Sequence, residues 1–197
     1  MVHSTRAREP RLSSKKPYFP NRRSAVISIA VVISLLAFAV LAIDRNNVNR
    51  LTKYEKQAIL AQDEVRVLME DRFLYAEALV NVLGNTEQAK PVSDAIRLFD
   101  KEGSVDDLGI SYRRLDEELS ILQPSLFRLS EYPLYQSYFE QLYAIEQELV
   151  AAVAQYHEKA TYYNVQKHGF PALLVARRLE MEDLELLNLG TALKGRP

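Results

Sequence analysis

A single long apolar segment stands near the beginning of the chain, at residues 25–43. Its nineteen positions carry no charge. As a helix rising about 1.5 Å per residue it would span roughly 28 Å, close to the hydrocarbon thickness of a bilayer. The pattern therefore predicts a transmembrane helix. The alternative is a cleaved signal peptide, because Ala37-Phe38-Ala39 has the small-x-small form of a cleavage site. However, the run exceeds the roughly 7–15 apolar residues of a signal peptide, and that site lies inside it.

The region after this segment carries a helical repeat from Asp44 to about Leu83. Apolar positions recur there at alternating spacings of three and four, the heptad pattern of a coiled coil. No helix breaker separates the repeat from the apolar segment, so one helix is expected to continue out of the membrane. Gly84-Asn85 gives a stop signal. The seam consists of Leu51, Tyr54, Ala58, Ala61, Val65, Leu68, Arg72, Tyr75, Leu79 and Val82.

Two more amphipathic helices are predicted downstream, after a weaker helical stretch at residues 91–99. The first begins at Ser104, which has with Asp107 the spacing of a capping box. Pro124 is expected to kink or end it near Gln123. Its seam is Leu108, Tyr112, Leu115, Leu119, Leu122, Leu126 and Leu129. The second covers about residues 134–168, with the seam Tyr138, Leu142, Ile145, Leu149, Ala152 and Tyr156.

The end of the chain predicts one more helix, over about residues 171–187, with Pro171 suited to its first turn. Residues 191–197 are expected to fray. No segment alternates with the period of a strand. The predicted fold is therefore all-α: an N-terminal transmembrane helix followed, over residues 44–190, by a long antiparallel bundle of three to four helices.

The charges divide the chain into two parts. Residues 1–23 hold seven Lys and Arg side chains against one acid, a net charge of +6, so the rest must sum to −7 to give the total of −1. By the positive-inside rule, residues 1–24 are expected in the cytoplasm as a basic, disordered tail and residues 44–197 on the far side of the membrane. An acidic domain argues against nucleic acid as a partner.

The sequence contains no recognisable motif for catalysis or for binding a cofactor. His157-Glu158 begins like the zinc-protease signature HExxH, but Thr161 stands where the second histidine belongs. His168 is expected to interact with a helix end. The acids around Gly103 lack the spacing of an EF-hand loop. The chain also has no cysteine, which excludes thiol catalysis and cysteine zinc sites. We therefore expect a protein that is not an enzyme and takes no metal or cofactor.

Arg72 is the one charged residue on the first seam. A buried guanidinium costs several kcal/mol unless a carboxylate and further hydrogen bonds meet it, so a buried acid is expected beside it. Glu146, next to the seam residue Ile145, is the first candidate, and Glu148 is the second. A structural ion pair that sets helix register is the favoured interpretation, and a ligand-binding role is the alternative.

Two tyrosine pairs seven residues apart, Tyr156-His157 and Tyr163-Asn164, are followed by Phe170-Pro171. This arrangement resembles the LemA family, bacterial proteins with an N-terminal membrane segment and a helical domain, in which Tyr-Asn pairs seven residues apart precede Phe-Pro. Because His157 replaces the first Asn, the chain resembles a divergent member.

The resemblance extends to the two residues of the predicted ion pair. Glu146 stands where the family has an acid. Arg72, with Ala78-Leu79-Val80 after it, is similar to the family's arginine followed by Asn-Leu-Val. The resemblance implies a long helical bundle, attachment to the bacterial cytoplasmic membrane and no established chemistry.

Two function classes fit these expectations. The favoured one is a membrane-anchored interaction or scaffold protein that contacts the lipid bilayer and binds another membrane or envelope protein, or a second copy of itself, through a helical face. The alternative is an extracytoplasmic ligand-sensing bundle that acts through a partner protein. A sensor should hold a concave pocket with convergent polar groups, whereas a scaffold should show a filled core and an exposed apolar or charged face.

Overall fold

The computed structural model describes residues 21–84 and 86–190. Over these residues the protein is all-helical and contains no strand. The predicted basic tail up to residue 20 and the predicted frayed end at 191–197 lie outside the described residues. The helices are α1 (Arg22–Leu83), α2 (Lys90–Arg97), α3 (Val105–Phe127), α4 (Tyr132–His168) and α5 (Ala172–Arg178).

The chain divides between Ile43 and Asp44 into two compact units. In the first unit, the apolar side chains of α1 are exposed, with Phe38 at 71%. Among the described residues, α1 is the one helix long and apolar enough to cross a membrane, a property that a membrane anchor and a signal sequence share. So many exposed apolar side chains need an apolar environment or partner to cover them.

The second unit, which we call the domain, has three buried apolar clusters. The largest side chains of the first come from the end of α1, from α3 and from α4, and include Phe73, Leu79, Leu115, Leu126 and Leu142. In the second cluster, side chains from the middle of α1 and of α4 pack with the start of α3 and with residues beyond α5. This cluster includes Val65, Tyr112, Leu149, Tyr156 and Leu187. The third joins α1 to α5 through Leu51, Val175 and Ala176.

Side-chain pairs connect α1 and α4 along the domain. The pairs are Arg50 with Gln166, Tyr54 with Tyr162, and Arg72 with Glu146. The residue numbers therefore rise along α1 as they fall along α4.

The heptad prediction for α1 is wrong in its second half. Tyr75 and Val82 are exposed, and Phe73, Ala76 and Leu83 are buried in their place. A straight α-helix has 3.6 residues per turn, so it drifts by about 20° per heptad from a strict 3.5-residue seam. The buried face of α1 follows the straight helix.

The capping box predicted for α3 is confirmed. The Ser104 side chain accepts from the Asp107 backbone N–H, and the Asp107 side chain accepts from the Ser104 backbone N–H. Of the two effects predicted for Pro124, a kink or an end of the helix near Gln123, the end is wrong, because α3 continues to Phe127. Leu126, beyond the proline, is completely buried, and this burial offsets the lost backbone hydrogen bond.

The predicted final helix over residues 171–187 is also wrong in extent. Helix α5 ends at Arg178, and Glu180 follows with a φ of 52°. Residues 181–189, which we call the strap, then run without regular secondary structure. Leu187 and Leu189 of the strap are buried, so this segment forms part of the domain core without being a helix.

Candidate functional site: a buried ionic cluster, a strap and a groove

The buried ionic cluster joins three helices around Arg72 of α1. Its Nη2 lies 2.8 Å from Asp116 Oδ1 on α3, and its Nη1 lies 3.4 Å from Glu146 Oε2 on α4. Nη1 also donates a hydrogen bond of 2.7 Å to the Tyr112 hydroxyl. The guanidinium carbon is 4.7 Å from the centre of the Tyr112 ring, which adds a cation–π contact. The cluster thus connects α1, α3 and α4 through one side chain.

Burial makes the charge balance of this cluster important. The Arg72 side chain is 3% exposed, and those of Asp116 and Glu146 are 11% and 6% exposed. Burial, together with the carboxylates of Glu146 and Asp116, raises the pKa of the Tyr112 hydroxyl far above its usual value, against the opposing effect of Arg72. The hydroxyl therefore stays protonated at neutral pH and can accept from Arg72 while keeping its own proton.

The structure brings Arg72 and Glu146 together, while the second candidate, Glu148, is exposed on the outside of α4. The sequence did not predict Asp116 or Tyr112 as partners of Arg72. Asp116 follows the seam residue Leu115 as Glu146 follows Ile145, so the same criterion applied to α3 would have found it.

The side chains of the LemA-like motif hold the strap. The Asn164 Nδ2 donates to the Leu184 carbonyl and the Leu184 N–H donates to Asn164 Oδ1, both at 2.9 Å. The Tyr163 hydroxyl donates to the Glu182 carbonyl at 3.2 Å. The Tyr156 hydroxyl donates to the Glu185 carbonyl. These side chains supply hydrogen bonds to backbone groups of a segment that lacks regular secondary structure.

Both ends of the strap are held by further polar contacts. Lys167 Nζ donates to the Met181 carbonyl at 3.1 Å and lies 2.5 Å from Asp183 Oδ1. His168 Nε2 lies 3.0 Å from the same carboxylate oxygen. The hydrogen bond from Lys167, followed by that from His168, lowers the pKa of Asp183. At the other end, Arg113 of α3 donates to the Asn188 carbonyl.

The remaining motif residues and histidines have structural surroundings. Phe170 is 85% exposed, and Pro171 is the N-cap of α5. His157 Nε2 is 2.9 Å from the Leu187 carbonyl, so this ring contacts the strap. Within residues 21–84 and 86–190, no group of three or more His, Asp or Glu side chains is placed to hold a metal ion.

The outer surface between α1 and α4 carries two depressions, which together we call the α1–α4 groove. One, of about 520 Å³, is lined by Glu64, Val67 and Leu68 of α1 and by residues of α4 that include Glu148, Ala151 and Gln155. The other, of about 770 Å³, is lined by Tyr54 and Gln57 of α1 and by residues of α4 that include Glu158, Tyr162 and Val165. Both open to solvent.

Comparisons of this chain with protein-family models, with characterised proteins and with solved structures find no match. The LemA resemblance therefore stays a prediction.

Proposed function

We propose that the protein is a membrane-anchored interaction module that acts by binding another membrane or envelope protein and not by catalysis. The observation that carries this proposal is an apolar stripe on α1. Leu60, Val67 and Leu74 follow one another at seven-residue spacing and are 67%, 49% and 55% exposed. An apolar stripe that the domain leaves uncovered is typical of a protein–protein interface.

The interior of the domain supports a scaffold. The polar groups of the buried ionic cluster pair with one another. Among the described residues, Arg72 Nε is the one buried side-chain nitrogen or oxygen atom without a hydrogen-bond partner. A ligand-sensing site would instead present several convergent polar groups to an open pocket.

The architecture that we propose is an antiparallel bundle attached by the apolar part of α1. The pairing of α1 with α4 in opposite numerical order supports the antiparallel arrangement, and α3 and the strap complete the packing. The charge-free run at residues 25–43 supports a membrane anchor, and the cations that precede it support a cytoplasmic N-terminus.

Membership of the LemA family as a divergent relative is part of the same proposal. The support is that three of the motif residues, Tyr156, Tyr163 and Asn164, share one structural role, which is to hold the strap. A shared structural role explains why these residues would occur together as a motif.

Ligand sensing is the second candidate, and one observation favours it. The depression beside Tyr54 and Tyr162 has the volume of a small-molecule site. The ring centres of these tyrosines are 4.9 Å apart in an edge-to-face arrangement. A sensor requires that a small molecule bound there changes the domain, for example by raising its unfolding temperature, whereas a scaffold does not.

Site-specific photocrosslinking in the native membrane tests the proposal. A photoreactive amino acid at Val67 should give discrete adducts with another protein, and substitution of both Leu60 and Leu74 by Asp should abolish them. The control position is Ile121 on α3, which is 63% exposed and lies off the stripe. Equal adducts from the two positions, or none from Val67, would contradict the proposal. If the chain forms adducts only with itself, the partner is a second copy of the chain and not another protein.

A further inference from the structure

The α1–α4 groove combines an apolar floor with acidic edges. Val67, Leu68 and Ala151, which we call the floor, line its first depression together with Glu64 of α1 and Glu148 of α4. Glu158 lines the second depression. We call these three glutamates the edge carboxylates. The groove therefore presents apolar side chains and carboxylates of both helices to solvent.

Within residues 21–84 and 86–190, the edge carboxylates Glu64, Glu148 and Glu158 take part in none of the ion pairs of the domain. Lys159, which is half-buried, lines the second depression. The edges thus carry an excess of negative charge that a cationic partner would balance.

The spacing of the edges matches a helix. Glu148 and Glu158 lie ten residues apart on α4, about 15 Å along its axis, a distance that about three turns of a docked helix cover. Parallel ridges of two neighbouring helices form the groove into which a third helix packs its apolar side chains. An extended peptide finds no exposed strand edge here, because the described residues contain no strand.

Two occupants from this chain itself fit the groove poorly. A second copy docked through the same face would bring the acidic edges of both copies together, and like charges at an interface oppose binding. The basic N-terminal residues 1–20 hold three prolines and few apolar residues, a composition that does not form an amphipathic helix.

We propose that the α1–α4 groove binds an amphipathic helix of another protein, with an apolar stripe on the floor and Lys or Arg on both flanks. This inference rests on the proposed function, because it names the chemistry of the partner that the interaction module would bind. The edge carboxylates orient the bound helix and disfavour helices with acidic flanks. The floor supplies the apolar contact.

The test uses the full chain in nanodiscs of zwitterionic phosphatidylcholine, to which a basic peptide has little electrostatic attraction. The probe is a fluorescent synthetic helix of three heptads with Leu on one face and Lys on both flanks, and its counterpart has Glu in place of Lys. Binding is followed by fluorescence anisotropy against empty nanodiscs. Three proteins are compared: the natural chain, the pair Glu64→Lys with Glu148→Lys, and the pair Glu87→Lys with Glu117→Lys, which makes the same charge change at exposed positions elsewhere.

The natural chain should bind the Lys peptide and not the Glu peptide. The variant with Glu64 and Glu148 both replaced by Lys should bind the Lys peptide about tenfold or more weakly and should also bind the Glu peptide. In the control pair, the affinity for each peptide should change by less than about twofold. Circular dichroism confirms that each variant is folded. Equal loss in both variants would overturn the proposal, since only net charge would then matter. A dimer in sedimentation analysis that Val67→Asp dissolves would assign the groove to a second copy and also overturn it.

The two proposals fail separately. If charge reversal has no effect while crosslinks from Val67 persist, the surface still binds a partner but the basic-helix chemistry is wrong. If Val67 gives no adducts, the interaction module itself is wrong.

Discussion

Asn164 on α4 and Leu184 in the strap form a reciprocal pair, with the side-chain amide donating to one backbone group and accepting from the other, each at 2.9 Å. The Asn164 side chain thus bonds both the N–H and the C=O of Leu184, as the backbone of a neighbouring β-strand would do. It explains how a segment without helical or strand hydrogen bonds stays packed against α4.

Replacing Asn164 by Ala should loosen the strap. Loss of both hydrogen bonds to a part-buried backbone is expected to cost about 1–3 kcal/mol of folding free energy. Hydrogen exchange should show the Leu184 amide losing protection well before the amides of α3. Gln155→Ala, at an exposed position of the same helix, is the control and should leave that amide protected. Unchanged protection in Asn164→Ala would show that the pair does not hold the strap.

Gly109→Ala should displace the other end of the strap. A Cβ at this position of α3 would lie 2.7 Å from the Asn188 carbonyl oxygen, which belongs to backbone and cannot rotate away. Alanine otherwise favours a helix by about 1 kcal/mol over glycine. A net loss of thermal stability, with faster exchange around residue 188, is therefore expected. A gain in stability would mean that the strap moves aside without cost.

Replacing Arg72 by Met should destabilise the domain by about 3–5 kcal/mol, because it leaves two buried carboxylates uncompensated. Urea unfolding of the full chain in detergent, followed by circular dichroism, measures the change. Arg97→Met is the control: that side chain and its partner Asp94 are both exposed, so its loss should cost less than about 1 kcal/mol.

A triple variant separates charge from packing at the same cluster. When Asp116→Asn and Glu146→Gln are added to Arg72→Met, no uncompensated charge remains, so part of the lost stability should return. If the triple variant is no more stable than Arg72→Met alone, the cluster acts through its packing and the ionic explanation fails.

Asp183 should make the strap sensitive to acid. Its pKa is lowered in the folded protein by the hydrogen bond from Lys167 and then by that from His168. A carboxyl with a lowered folded-state pKa stabilises the fold above its unfolded pKa, about 3.9 for Asp, and this contribution disappears as the pH falls through the lower folded value. Melting temperatures of the natural chain and Asp183→Asn should therefore differ at pH 6 and converge as the pH falls through the lowered folded-state pKa of Asp183. Parallel curves would contradict this assignment.

Local sequence signals predicted most of the helices. The capping residues Ser104 and Asp107 and the stop at Gly84 act through nearby backbone, so the pattern around them is sufficient. The wrong positions on α1, Tyr75 and Val82, came from a seven-residue template applied to a straight helix of 3.6 residues per turn. The error grows with distance along the helix, which is why the first half of the seam was placed correctly.

The strap could not be predicted from local pattern. Leu184 and Leu187 have helical spacing, so the local pattern favours a helix. The hydrogen bonds that hold the strap come from Tyr156, Tyr163 and Asn164, some twenty to thirty residues earlier, and the local pattern contains no sign of them. For a related reason, the sequence predicted only the Arg72–Glu146 part of the ionic cluster. An arginine on a buried seam requires an acid, but the choice among acids depends on how α3 packs against α1.

The exposed stripe of α1 is the surface on which the proposed function depends. The chain contains no cysteine, so a single introduced cysteine can report directly on this surface. Single variants Val67→Cys and Ile121→Cys are labelled with a maleimide in opened native membranes and again after purification in detergent. If a partner covers the stripe, Val67→Cys should react much more slowly in the membrane than after purification, while Ile121→Cys should react equally in both. Equal reaction of Val67→Cys before and after purification would contradict the claim that this surface binds a partner.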